Sequence, residues 1–298
     1  MIKNWLKAFR LRTLPLAFSC IIAGSFSVYS QSFNWTIFLL AILTTLFLQV
    51  LSNLANDYGD FKKGTDNQDR IGPERAMQSG AISESQMKKA LIICSLLALI
   101  TGISLLGVSF NWQFSTPFIL MFILGISAII AAIKYTVGKF AFAYHALGDL
   151  FVFLFFGIVG VIGPAFLQGV SIELSTICMA ITIGAWSTAV LNLNNLRDHI
   201  NDAASQKNTL VVKLGFAAAK KYHYFLLTLG IISAFKGLSA YHNGFYFLPL
   251  LVSFIFIKHL IKVNKTENPA ELDPELKKVA LSTFLFSLIF MTIQLIYA

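Results

Sequence analysis

Nine apolar runs, each close to the length of a membrane crossing, divide this chain and leave few folds open to it. A helix needs about 20 apolar residues to cross the hydrocarbon of a bilayer. The runs fall near 13–31, 35–55, 90–109, 115–133, 145–164, 172–193, 223–241, 244–261 and 278–297. Composition agrees: 56% of the 298 residues are apolar and mean hydropathy is +0.72, far from the values of soluble domains. Backbone polar groups in lipid must be satisfied within their own segment, which favours helices for runs of this length. The expected fold class is therefore all-α, a polytopic bundle of nine transmembrane helices forming a single domain over 1–298.

Orientation follows from the cations. With the N-terminus in the cytoplasm, the internal segments are 1–12, 56–89, 134–144, 194–222 and 262–277, and every Lys and Arg except Lys236 lies in or beside them. Such a bias is what the positive-inside rule describes, so a multi-pass protein of the bacterial inner membrane is expected. The acids share that side, Glu173 excepted, so the bias is not a sorting by net sign. The net charge of +9 is accounted for by topology, and the chain shows no nucleic-acid element or Gly-rich nucleotide loop.

Two charged stretches stand out in a chain that is only 12% charged. The first, Asn53 to Gly80, holds Asp57, Asp60, Asp66, Asp69 and Glu74 among Lys62, Lys63, Arg70 and Arg75. The second, Asn192 to Leu210, holds Asn194, Asn195, Arg197, Asp198, Asp202 and Lys207, with Asp198 and Asp202 one helical turn apart. Both directly follow apolar runs, so the fold is expected to bring them together at one mouth of the bundle. Clustered carboxylates repel one another. A hard divalent cation relieves that repulsion, and Mg²⁺ is usually held by a few carboxylates plus substrate phosphates. The interspersed basic residues suit those phosphates.

Smaller features complete the reading. Residues 1–12 look like an interfacial amphipathic lead-in. Gln49, Asn53, Asn56 and Asp60 form one helical stripe if the second span continues that far, and Ser83 suits a helix cap. Small residues, Ser19, Cys20, Gly24 and Ser25 in the first span and Gly157, Gly160 and Gly163 in the fifth, suit close helix approach. Asp149 opens an apolar run containing Phe151, Phe153, Phe155 and Phe156 and should face a cavity. Tyr144 and His145 fit an interfacial belt equally well. Cys20, Cys94 and Cys178 sit in spans at no metal-binding spacing. The connector 264–278, Asp273 included, and the basic approach Lys220–His223 read as topology and solubility features.

These motifs resemble the two Asp-rich motifs of the UbiA superfamily of intramembrane prenyltransferases. The run NDYGDFKKGTDNQDRIGP, together with GDLFVFLFFG in the fifth span, is most similar to the branch acting on 1,4-dihydroxy-2-naphthoate in menaquinone synthesis. In the superfamily's first motif an Asn is followed by Asp four and eight residues on. Here Asn56 and Asp60 fit, Gly64 takes the last place and Asp66 follows two residues later, a departure shared by the naphthoate branch. Of the superfamily's Tyr-Pro-x-x-Lys-Arg run, Tyr135 and Lys139 match while Thr136 and Phe140 do not.

The resemblance implies nine helices and Mg²⁺-dependent transfer of a polyprenyl group from polyprenyl diphosphate to 1,4-dihydroxy-2-naphthoate, with loss of the ring carboxylate. It implies Mg²⁺ at Asn56, Asp60, Asp66, Asp198 and Asp202, with Asp60, Asp198, Asp202, Lys139 and Tyr135 catalytic. Asn53, Asn56, Asp57, Lys62, Arg70, Lys134, Asp149, Asn194, Asn195, Arg197 and Lys207 are the expected substrate-binding residues. Asp149, Tyr135 and Lys134, in that order, are expected to orient the aromatic acceptor. The tail would leave sideways into lipid. Other superfamily acceptors remain open (4-hydroxybenzoate, homogentisate, haem or a glycerol phosphate). A transporter is the other class, although it would more naturally hold its charges near the membrane midplane.

Overall fold

In a computed structural model describing residues 2–68 and 70–298, the chain is helical, and no strand occurs among the described residues beyond one isolated bridge between His145 and Asn208. The order is α1 (Ile2–Phe9), α2 (Leu14–Phe26), α3 (Trp35–Lys62), α4 (Glu84–Ser109), α5 (Thr116–Lys134), α6 (Gly148–Val152), α7 (Gly163–Leu167), α8 (Leu174–Ala204), α9 (Leu210–Leu214), α10 (Phe216–Leu238), α11 (Val252–Lys265) and α12 (Asp273–Tyr297). A π-helical stretch, Phe153–Ile162, joins α6 and α7 into one rod.

Helix starts follow from local chemistry. The Asn34 side chain accepts from the backbone N–H of Thr36 and Ile37 at the head of α3. Ser83 and Gln86 form a reciprocal capping box at α4, and Ser115 caps α5. Pro15, Pro117 and Pro274 stand in first turns, where a missing N–H costs nothing.

Among the described residues seven helices are long and apolar enough to cross a membrane, so this is a multi-pass membrane protein. The other two expected spans are present as α2 and α10. At 13 residues, α2 reaches only about 20 Å, short of the expected 13–31, because the chain turns at Ser27 and runs into an aromatic cluster. There Phe26 packs on Tyr29, Phe33, Trp35 and Phe38, with ring centroids 4.8 to 6.2 Å away. Lys220, Lys221 and His223 lower the hydropathy of α10.

Two helices overrun their apolar runs at the opposite end, and that overrun builds the site. Instead of stopping near 55, α3 continues to Lys62, and α8 continues to Ala204 rather than ending near 193. Asn53, Asn56, Asp57 and Asp60 of the first motif and Asn194 to Asp202 of the second are thereby placed on helix, while Asp66, Arg70, Arg75 and Lys207 follow in the loops beyond. The deeply buried α8 packs against α10, the π stretch, α12 and α2.

Close approach relies on absent side chains. A Cβ on Gly24 of α2 would lie 2.1 Å from the carbonyl oxygen of Val161, and one on Gly157 would lie 2.8 Å from the Cα of Gly184 on α8. Gly163 serves no such contact, since the only neighbour of its would-be Cβ is Met121 Cε at 3.8 Å. His223 is fully buried rather than interfacial: its Nε2 lies 2.7 Å from His259 Nε2, and His259 Nδ1 meets Glu275, linking α10, α11 and α12.

Candidate active site

A cavity of about 610 Å³ opens where the overrunning ends of α3 and α8 meet, a volume typical of a small-molecule pocket. Its wall carries the whole predicted stripe of α3, namely Gln49, Asn53, Asn56 and Asp60. From α8 it takes Ser187, Asn194, Asn195, Arg197, Asp198 and Asp202. Lys207, Arg70, Tyr135 and Asp149 join them, and Phe151, Phe155 and Phe156 line its apolar part. Phe153 instead packs on Gly184.

The acids are held by cations and hydroxyls. Asp60 accepts from the Tyr144 hydroxyl at 2.8 Å through Oδ1 and from Lys207 at 3.4 Å through Oδ2. Lys207 also lies 3.8 Å from Asp202, so one ammonium joins the two motifs. Burial opposes the charge on Lys207, but Asp60, Asp202, Asp66 and Asp198 outweigh it and raise its pKa. Asp198 is gripped by Arg197 through both oxygens, at 2.8 and 2.6 Å, with Arg70 at 3.8 Å. Asp66 pairs with Arg70 at 3.1 Å and Arg75 at 3.7 Å, and burial raises its carboxyl pKa.

Not every expected residue reaches the cavity. Lys134 and Lys139 are exposed and off its wall, and Lys62 pairs at 2.6 Å with Glu84 on the outer surface. Asp57 and Asp66 also lie outside the wall. Asp57 accepts from the backbone N–H of Ala76 and Met77, pinning the loop after the first motif. Asn53 reaches the wall, but its amide donates to Phe9 and Thr13, tying down the N-terminal lead-in. Asn56 accepts from Thr136 at 3.2 Å, and Asn194 accepts from Arg197 at 2.9 Å. Asp69 lies outside the described residues.

Other residues entered the site without having been assigned to it. The Tyr144 hydroxyl bridges Asp60 and Thr65, and the Lys63 ammonium lies 3.6 Å from its ring centroid. Arg10 and Arg75 line the cavity; burial and the nearby like charge of Arg75 depress the Arg10 guanidinium, and Arg10 Nη2 has no hydrogen-bond partner. Asp273 bonds Arg197 Nη1, so it orients a site cation, contrary to its reading as connector solvation. Its only sequence signal was a place before Pro274 at a helix start, which says nothing of a partner 76 residues away.

No three Asp, Glu, His or Cys side chains among the described residues converge tightly enough to hold a metal unaided. Yet on the wall Asp202 Oδ2 is buried without a hydrogen-bond partner among the described residues, and Asp60 and Asp202 share a single ammonium. Unsatisfied buried carboxylate oxygens are costly. A hard divalent cation that also takes substrate phosphates requires only one or two carboxylates from the protein. The donor set on this wall fits such an ion.

Comparison with known proteins bears on this arrangement. Residues 17–292 match the UbiA prenyltransferase family. This chain belongs to that family. It is 41% identical over 288 residues to 1,4-dihydroxy-2-naphthoate octaprenyltransferase of Escherichia coli (strain K12), spanning 96% of this chain and 93% of that protein. The same identity holds over 294 residues with the Haemophilus influenzae protein of that name, spanning 97% and 94%. Among solved structures, a UbiA homolog from Archaeoglobus fulgidus bound to GPP and Mg²⁺ superposes with a TM-score of 0.69 at 14% identity, over 97% of this chain and 99% of that one. At that identity the likeness shows the UbiA fold.

Proposed function

We propose that this UbiA-family membrane protein transfers a polyprenyl group from polyprenyl diphosphate to 1,4-dihydroxy-2-naphthoate with loss of the ring carboxylate. The observation carrying this reading is the 41% identity over nearly the full length to two proteins of that name. A mainly apolar cavity with aromatic rings on its wall, and with acids and cations gathered at its polar end, supports it.

In this reading the diphosphate lies at the polar end, where Arg10, Arg70, Arg75 and Lys207 offset its charge and take up the charge that grows as it departs. Asp60 and Asp202, with Asn56 and Asp198 beside them, would hold Mg²⁺, which when bound with the diphosphate would supply Lewis-acid stabilisation of the leaving group. Tyr144 fixes one oxygen of Asp60 and so sets the direction of the other. Phe151, Phe155 and Phe156 shelter the allylic C1 from water and offer π faces to its developing positive charge. The ring carbon that carries the carboxylate forms the new bond to C1 as the C1–O bond breaks and diphosphate leaves; its bond to the carboxylate then breaks, CO2 departs and the bonding pair returns to the ring. The clustering of the cations around this end supports a cytoplasmic site in the bacterial inner membrane.

Purified protein in detergent should release pyrophosphate from a polyprenyl diphosphate only when Mg²⁺ and the naphthoate are both present. Faster turnover of 4-hydroxybenzoate or homogentisate in the same acceptor panel would overturn the assignment.

Asp273 gives a more local prediction. Asp273→Asn leaves the buried Arg197 with Asp198 and Asn194 and an uncharged amide oxygen in place of its third, carboxylate partner. The KM for polyprenyl diphosphate should rise by about threefold to tenfold, the effect of weakening one charged hydrogen bond. A KM within error of wild type would return Asp273 to solvation.

A further inference from the structure

Asp149 differs from the other acids on the cavity wall. It opens the first turn of α6, is 5% exposed, and its Oδ1 has no hydrogen-bond partner. Asp60, Asp198, Asp202 and Asp273 each pair with a Lys or Arg, whereas Asp149 has no ion pair among the described residues. Its neighbours are phenols and rings. Tyr222 lies close by: burial, and then the charge of Asp149, hold its phenol neutral. Tyr135 OH packs on Gly148, where a Cβ would lie 2.8 Å from it. Phe151 stacks on Phe142 with centroids 3.9 Å apart and continues to Phe155 at 6.1 Å. Burial, followed by the charges of Asp149, Asp60 and Asp202, keeps Tyr135 a neutral hydroxyl, and Tyr135 lines the same cavity as these acids.

A buried carboxylate oxygen with no cation and no donor accepts an O–H readily and repels a second carboxylate. Flat rings on the adjoining wall suit an aromatic body carrying that O–H. We propose that Asp149 receives the acceptor: its free oxygen takes a hydrogen bond from a ring hydroxyl of a hydroxyaryl acid, with Tyr135 beside it and the ring against Phe151 and Phe155. The proposal rests on the prenyl-transfer reading above and assigns its second substrate. A hydroxyl bonded to a carboxylate becomes more electron-rich, and so does the ring carbon that must attack C1. The same charge turns the acceptor's own carboxylate away, towards the basic end of the cavity, so Asp149 would set orientation as well as affinity.

The test measures kcat and KM separately for acceptor and for prenyl diphosphate in wild type, Asp149→Asn, Asp149→Ala and Tyr135→Phe. Each is assayed with the dihydroxynaphthoate and with its two monomethyl ethers. Asp149→Ala should lower kcat/KM for the acceptor at least about tenfold, with Asp149→Asn losing less because it keeps an accepting oxygen. The KM for prenyl diphosphate should stay within about twofold, a split that general misfolding would not produce. Wild type should discriminate against one ether, and Asp149→Ala should not. Unchanged acceptor kinetics, or discrimination that survives in Asp149→Ala, would overturn the proposal. Wild-type transfer to a different hydroxyaryl acid would instead overturn the acceptor named above, and the Asp149 test would then run on that acid and its ethers.

Discussion

Asp60→Asn and Asp202→Asn are each expected to cut prenyl transfer by at least about a hundredfold, the usual scale for removing one group that stabilises transition-state charge. Both substitutions keep shape and much hydrogen-bonding capacity, so the change is one negative charge each. Lys207 bridges these two carboxylates, and after either substitution it retains the other, which limits the cost to folding. The apparent Mg²⁺ requirement should rise with the loss of activity. Glu267→Gln, in the exposed connector, serves as control and should be silent. The measurement is single-turnover transfer across a Mg²⁺ series, beside a thermal melt. Wild-type rates with an unchanged Mg²⁺ dependence would remove both residues from the mechanism.

The second large effect is on stability, at Gly24. Any side chain there meets backbone: its Cβ would lie 2.1, 2.8 and 2.9 Å from the O, C and Cα of Val161. Backbone cannot swing aside as a flexible side chain can, and Val161 belongs to the π-helical stretch whose other face packs on α8. Gly24→Ala should cost on the order of 1–3 kcal/mol, and Gly24→Leu should prevent accumulation of folded protein. Gly125 on α5 has nothing within 4 Å of a would-be Cβ. There, Gly125→Ala should be neutral or gain up to about 1 kcal/mol of helix propensity. Melting temperatures in detergent would separate the two sites, and equal melting of Gly24→Ala and wild type would refute the packing argument.

How much of this was legible in the residues depended on the range of the interaction. Hydropathy is local, so the helical rods could be read, although the first was read too long because the turn after Ser27 depends on an aromatic cluster rather than on a break in hydropathy. The stripe Gln49, Asn53, Asn56 and Asp60 follows from helical periodicity and came out on one wall. The Ser83 cap was equally local.

Residue type set the chemistry, acids for a cation and bases for phosphate, but not which of several candidates would point inward. Lys62, Lys63, Lys134 and Lys139 look alike in sequence. Tertiary packing sent Lys62 to Glu84, put Lys63 over Tyr144 and left Lys134 and Lys139 in the open. The choice of Arg10, Tyr144 and Asp273 as site residues came from contacts across tens of residues, such as Tyr144 to Asp60, 84 apart, and Asp273 to Arg197, 76 apart. The sequence by itself determined membrane residence, helical class and the chemical character of the two motifs, because those depend on composition and short periods. Only the tertiary structure decided which charges meet, because a long flexible side chain finds its partner after the helices have packed.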